Sequence, residues 1–281
     1  MKNIIIRALS GSVYVALIVA SILLLDNSPI AFLALFSLFI VMGIKEIYDM
    51  SQSEEPMSWL VVLVDMLGGV GLFLSFYFNF RTNASTPAPG MRILPLAIYL
   101  VVRCIIQLYR PRQNAVHSLE RSFLSLTYVA LPIAMLNTIV SMAAPRLLLA
   151  LFVFIWVNDT GAFLAGTAFG RHRLFERISP KKSWEGFVGG LIACILVALA
   201  TNHWCNEFFQ VPELGIWVGL SIVTSVVATF GDLVESLIKR TEGVKDSGHL
   251  IPGHGGILDR IDSLLLVSPA ALIYLTLMAS H

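Results

Sequence analysis

Charge is what this 281-residue chain has least of. Asp, Glu, Lys and Arg together make up 13% of it, against about a quarter in a typical soluble domain. That shortage excludes an ordinary water-exposed globule. Nor is there an excess of one sign: the formal net charge is +1, so no global field draws the chain to nucleic acid. Cysteine is scarce as well. Cys104, Cys194 and Cys205 are scattered through or beside apolar segments, with neither metal-ligand spacing nor a disulfide framework, and read as small hydrophobes. No GxxxxGK[ST] sequence occurs, so this is not a P-loop protein. A Ser-His-Asp relay and an internal repeat of obvious period are also missing.

What fills the chain instead is apolar. Hydrophobic residues make up 57% of it and the mean hydropathy is +0.80. Runs near the roughly 20 residues needed to cross a bilayer recur along its length. The expected fold is all-α, a polytopic integral membrane protein with about nine transmembrane helices. They fall near 10–25, 29–44, 57–80, 91–109, 122–144, 146–169, 187–204, 212–237 and 263–279. The first run follows Lys2 and Arg7; it is long and no small-x-small cleavage site follows it, so it reads as a membrane helix rather than a secretory signal.

Orientation follows from the basic residues. With the N-terminus cytoplasmic, 15 of them fall inside and three, Arg81, Arg92 and Arg146, fall outside, Arg103 lying within a span. That bias satisfies the positive-inside rule. The Pro/Ser/Thr-rich linker "NFRTNASTPAPGMR" (79–92) then lies outside.

An ionisable residue at mid-bilayer costs about 2.5–3.5 kcal/mol on insertion scales, so each needs a reason. Asp65, Arg103, Asp159, Asp232 and Glu235 all fall in the cytoplasmic halves of their helices. Snorkelling to the surface accounts for Arg103 or Glu235 as well as any internal role does. It accounts poorly for Asp159. In "WVNDTGAFLAG" this short carboxylate sits roughly 13 Å from the expected helix end at helical rise, and a polar cavity opening inward explains it better.

Two cytoplasmic loops complete such a cavity. One is "RISPKKSWEG", where Lys181 and Lys182 precede Ser183, a plausible N-cap; anchoring of neighbouring helices explains its lysines equally well. The other is "KDSGHLIPGHGGILDRID" (245–262), approached through "GDLVESLIKR". Asp232, Ser236 and Lys239 recur at helical spacing and share a face, as do Asp259 and Asp262 if the last helix begins near Leu258. Two helices can thus present three carboxylates to one point, and hard oxygen ligands without cysteine suit Mg²⁺. Lys239, Arg240, Lys245 and Arg260 add positive charge. Gly253, Gly255 and Gly256 permit close backbone approach before a helix N-terminus, a natural anion cradle. Carboxylates for metal, with cations and a glycine turn for phosphate, indicate phosphoryl or nucleotidyl chemistry. Simple Asp–Arg pairing on a solvated loop is the plainer alternative. His254 suits either a general base or a turn residue bonding backbone or phosphate.

The order Ser236, Lys239-Arg240, Lys245-Asp246, His254-Gly255-Gly256, Asp259-Arg260 and Asp262 resembles the full signature of the phosphatidate cytidylyltransferases. "NDTGAFLAG", "SPKKSWEG" and "GDLVES" resemble that family more loosely. The resemblance implies transfer of CMP from CTP to phosphatidate, giving CDP-diacylglycerol and pyrophosphate. It implies Mg²⁺, with or without a second cation, and a homodimer. Carried over by position, the metal carboxylates would be Asp232 and Asp259 with Asp262 close by. Lys239, Lys245 and Arg260 would hold phosphates beside Asp246; Asp159, Lys182, Ser236, Arg240, His254, Gly255 and Gly256 would contact substrate. The chain then divides into N-terminal membrane helices (1–144) and a catalytic membrane region (145–281). A bacterial inner membrane with a cytoplasmic active site is the expected setting.

Two rivals share these features. A CTP-dependent lipid kinase would use the same metal and phosphate groups, but its hydroxyl nucleophile would need deprotonation. An ion-coupled transporter would use Asp65, Asp159 and Asp232 as a relay; against it, the polar residues collect at one face and no repeat is visible.

Overall fold

The computed structural model describes residues 2–51, 58–81, 94–110, 114–142, 145–209, 213–248, 250 and 255–279. The 82–93 stretch and His254 therefore lie outside the described residues. The helices are α1 (Lys2–Leu23), α2 (Ile30–Met50), α3 (Trp59–Arg81), α4 (Leu94–Leu108), α5 (Ala115–Leu124), α6 (Leu131–Met142), α7 (Pro145–Phe169), α8 (Trp184–Trp204), α9 (Asn206–Phe209), α10 (Leu214–Thr241) and α11 (Leu258–Ala279). A π-helical segment, Ser125–Ala130, joins α5 to α6. Pro132 has no N–H to give one turn back and its ring crowds that turn, so the helix widens just before it.

Among the described residues, seven helical segments are long and apolar enough to cross a membrane, bearing out the all-α membrane architecture. Two more, Leu9–Leu23 and Leu94–Leu108, are apolar but shorter; they coincide with the first and fourth expected spans. The fifth segment begins earlier than its hydropathy suggests. Asn114 caps α5 by accepting from the His117 N–H, and the first turns carry buried Ser118, Arg121 and Ser122, whose polarity conceals them from an apolarity scan.

The chain divides into two compact units, Met1–Ser141 with Glu242–Arg260, and Met142–Thr241 with Ile261–His281. The first therefore includes the "KDSGHLIP" loop, which follows in sequence from the second. Its helices α2 and α3 pack on one another and on the π segment. The core there is a run of rings, Phe32 against Phe36 at 4.5 Å and Phe36 against Phe39 at 5.5 Å between centroids.

This unit also hides a polar cluster. Asp65 (α3) accepts from the Tyr99 hydroxyl at 2.8 Å and from the Tyr48 hydroxyl, and the Arg103 Nε lies 3.6 Å away. Arg103 donates to Ser122 Oγ at 2.7 Å, to Ser118 Oγ at 2.6 Å and to Gln107 at 3.1 Å. Asp65 and Arg103 are both 0% exposed. Snorkelling is thus excluded for Arg103: its guanidinium turns inward because a carboxylate and two hydroxyls satisfy it there.

In the second unit, α7, α8 and α10 pack together. The α7–α8 seam is lined with small residues. A Cβ on Gly189 would come within 2.2 Å of Ala165 Cβ, and one on Gly161 within 2.8 Å of Ala193 Cβ. Such seams let membrane helices approach backbone to backbone. Asn158, buried on α7, ties this pair to α10 by accepting from Ser225 Oγ at 2.7 Å. Between α7 and α8 lies a feature the sequence did not suggest, an antiparallel hairpin of β1 (Arg173–Phe175) and β2 (Ser179–Ser183). Its strands are short, charged and interrupted by Pro180, so they lack the alternating apolar pattern of a strand.

Candidate functional site

The hairpin delivers the first functional side chain of the second unit. Glu185, in the first turn of α8, accepts from the N–H groups of Arg171 at 3.1 Å and His172 at 3.2 Å, which holds the hairpin base. Ser183 caps α8 through the Gly186 N–H at 3.1 Å, the N-cap expected from the sequence. With both ends fixed, Lys182 reaches α10. Its Nζ lies 2.6 Å from Asp232 Oδ2 and 3.3 Å from the Thr229 carbonyl oxygen.

Asp232 is one of three carboxylates that gather here. Asp232 and Glu235 on α10 and Asp262 on α11 offer oxygens that all lie within 4.8 Å of one another. Glycine makes this approach possible. A Cβ on Gly231 would meet the Asp262 carbonyl oxygen at 2.9 Å and Ser263 Cα at 2.9 Å, so a larger residue would hold α11 away. Glu235 is fully buried and accepts from Lys239 Nζ at 2.9 Å. Here too snorkelling gives way to an internal role. Three carboxylate groups with hard oxygens, beside two ammonium groups, fit a divalent cation of the Mg²⁺ type.

Asp232 also lines a cavity of about 370 Å³. Its wall mixes Asn158, Asp159, Lys181 and Lys182 with Phe163, Leu174 and Phe187. Asp159 therefore borders a cavity in this unit, but one whose wall is more apolar than the polar cavity expected from the sequence. Ser236 donates to Asp232 Oδ1 at 3.3 Å, consistent with the shared helix face, while Lys239 turns to Glu235 instead. Arg240 is exposed at the end of α10.

The remaining expected residues belong to the first unit. Lys245, Asp246 and Arg260 are exposed there. Asp259 Oδ2 accepts from the Gly256 N–H at 2.8 Å and the Ser247 N–H at 3.2 Å, drawing the two sides of the loop together. Gly255 has φ +84°, a conformation that Gly adopts without the steric cost of a Cβ. Gly256 fills a tighter place: a Cβ there would fall 2.1 Å from Ser247 Oγ and 2.3 Å from Glu46 Oε2.

Two residues were not singled out as ligands or anchors by sequence reasoning. Glu235 had a signal, since Asp232-x-x-Glu235 places two acids on neighbouring turns. Glu46 had none. It sits 201 to 212 residues from the groups it binds, Ser247 Oγ, the Ile257 N–H and the Leu258 N–H, each at 2.8 Å.

A protein of Haemophilus influenzae named phosphatidate cytidylyltransferase is 47% identical over 125 residues, which are 44% of this chain and 43% of that one. A protein of Staphylococcus epidermidis with the same name is 47% identical over 126 residues, 44% of this chain and 46% of that one. One from Staphylococcus aureus strain COL is 45% identical over 120 residues, 42% and 44% of the two chains. The matched stretch thus spans less than half the length of each relative. A family description covers far more: residues 5–278 match the one described as the Cytidylyltransferase family. With nearly the whole length matched, this chain belongs to the cytidylyltransferase family.

Proposed function

We propose that this chain transfers CMP from CTP to phosphatidate, releasing pyrophosphate and forming CDP-diacylglycerol, at the cytoplasmic face of a bacterial inner membrane. The observation that carries the reading is the Lys182–Asp232 pair, set in a largely apolar cavity, with Glu235 and Asp262 clustered on Asp232. Relatives with that printed name support the choice of substrates.

The chemistry asks for charge management more than for a base. A phosphate monoester has its second pKa at about 6 and is largely dianionic at neutral pH. One of its oxygens attacks the α-phosphorus of CTP, a new P–O bond forms, and the bond to pyrophosphate breaks. No proton need be removed from the nucleophile. Two highly negative groups must instead be held in line and their repulsion offset. Lys182 stands in the cavity wall where an incoming phosphate would lie, and Lys181 adds a second ammonium. Phe163, Leu174 and Phe187 offer an apolar flank to the glycerol and first acyl carbons, while Asn158 and Asp159 offer a polar one. Asp232, Glu235 and Asp262 would hold Mg²⁺, which supplies positive charge to a triphosphate and its leaving pyrophosphate. For Lys245, Asp246 and Arg260, in the first unit, the phosphate-handling roles rest on the resemblance of the signature alone.

The test is direct. Purified protein in detergent, with CTP labelled in its cytidine, Mg²⁺ and either phosphatidate or a lipid alcohol as acceptor, is expected to yield labelled CDP-lipid and unlabelled pyrophosphate from phosphatidate. Formation of CDP and a lipid phosphate from an alcohol acceptor would overturn the reading in favour of a kinase.

A further inference from the structure

We propose that Glu46, far from the signature in sequence, is a positioning residue that ties together the two flanks of the signature loop, Ser247 on one side and Ile257 and Leu258 on the other. The inference rests on the cytidylyl-transfer reading, in which that loop contributes Lys245, Asp246, Asp259 and Arg260.

The geometry is specific to that task. Glu46 is 3% exposed near the end of α2. Its Oε2 accepts from Ser247 Oγ at 2.8 Å on the entering side of the loop, and from the Leu258 N–H at 2.8 Å on the leaving side. Its Oε1 accepts from the Ile257 N–H, also at 2.8 Å. Both flanks of the loop thus end on one carboxylate. Ile257 and Leu258 open α11, so Glu46 occupies the place where a helix N-terminus favours negative charge.

Two glycines record how closely the loop wraps this group. A Cβ on Gly248 would lie 2.9 Å from Oε1, and one on Gly256 2.3 Å from Oε2. Asp259 closes the other side by accepting from the Ser247 and Gly256 N–H groups. Glu46 and Asp259 therefore both hold Ser247, one through its hydroxyl and the other through its N–H, and between them they bind Gly256, Ile257 and Leu258 in succession. The helix that carries Glu46 is itself fixed two residues on, where the Tyr48 hydroxyl meets Asp65 and Ser122 Oγ. A buried carboxylate is costly unless its acceptors are filled. Here every contact named is with the loop, so its placement serves the loop rather than the packing of α2.

Glu46→Gln tests this. The amide keeps the size of the side chain but has one acceptor oxygen, and its NH₂ would face a backbone donor. In the full-length variant, hydrogen exchange in peptides covering Ser247–Leu258 is expected to accelerate, with no substrate needed for the measurement. Misplacement of reacting groups on the ångström scale costs up to about 100-fold, so kcat/KM for CTP per folded molecule is expected to fall about 10- to 100-fold while the thermal midpoint stays near wild type. If Glu46→Gln does not fold, Ser247→Ala, which removes one bond, is expected to show the same two effects several-fold smaller. Wild-type exchange in a folded variant would overturn the proposal. So would faster exchange with unchanged kcat/KM, which would make the clamp merely structural. Failure of the wild-type protein to form CDP-lipid would instead sink the functional reading, with the exchange measurement still judging the clamp.

Discussion

At the scale of single residues, the chemistry proposed for the second unit centres on Asp232. Asp232 touches Lys182 and Ser236 and shares its carboxylate cluster with Glu235 and Asp262. Asp232→Asn keeps the shape and removes the charge. It is expected to lower kcat by at least about 10²-fold, the scale of losing one electrostatic contact at a reacting centre, with an unchanged thermal midpoint; CDP-lipid formation and a detergent melt check both. Asp232 and Asp262 were legible in the sequence as candidates because their motifs carry them at helical spacing, and Lys182 through the paired lysines of its loop. Glu46 was not, because a lone acid near the end of an apolar helix reads as a solvated charge, and only folding brings Ser247, Ile257 and Leu258 onto it. Arg103 was half legible. Its depth left snorkelling and an internal role equally open, and Asp65, Ser118 and Ser122 lie on other helices whose registers no local pattern discloses.

At the scale of elements, apolar run length located the helices and failed where polarity faces inward. The α5 helix begins at Ala115 because its polar face is buried rather than wet. The β1–β2 hairpin escaped notice for a related reason: its order comes from Glu185 binding the Arg171 and His172 N–H groups and from the Ser183 cap, not from a buried strand face. The α7–α8 seam offers a test at this scale. Gly189→Ala would drive a methyl into Ala165 at 2.2 Å, and overpacking of this kind costs typically about 1–3 kcal/mol. The single variant is expected to lower the thermal midpoint, and adding Ala165→Gly is expected to restore much of it. A midpoint unmoved by Gly189→Ala would mean the seam is not close-packed.

At the scale of the whole molecule, the bias of 15 basic residues against three predicts a direction across the bilayer. A single cysteine at Arg177 in a background lacking Cys104, Cys194 and Cys205 is expected to react with an impermeant maleimide only in inside-out vesicles. Labelling in right-side-out vesicles would reverse the orientation and place the hairpin on the wrong side for cytosolic CTP. The buried Asp65–Arg103 cluster bears on how such a molecule is made. Its acid is carried by α3 and its guanidinium by α4, and either one alone on a lone helix in lipid carries a cost that reaches about 2.5–3.5 kcal/mol at mid-bilayer. During synthesis the earlier helix gains by waiting at the insertion machinery until the later one arrives, so that the two enter the bilayer as an already neutralised couple.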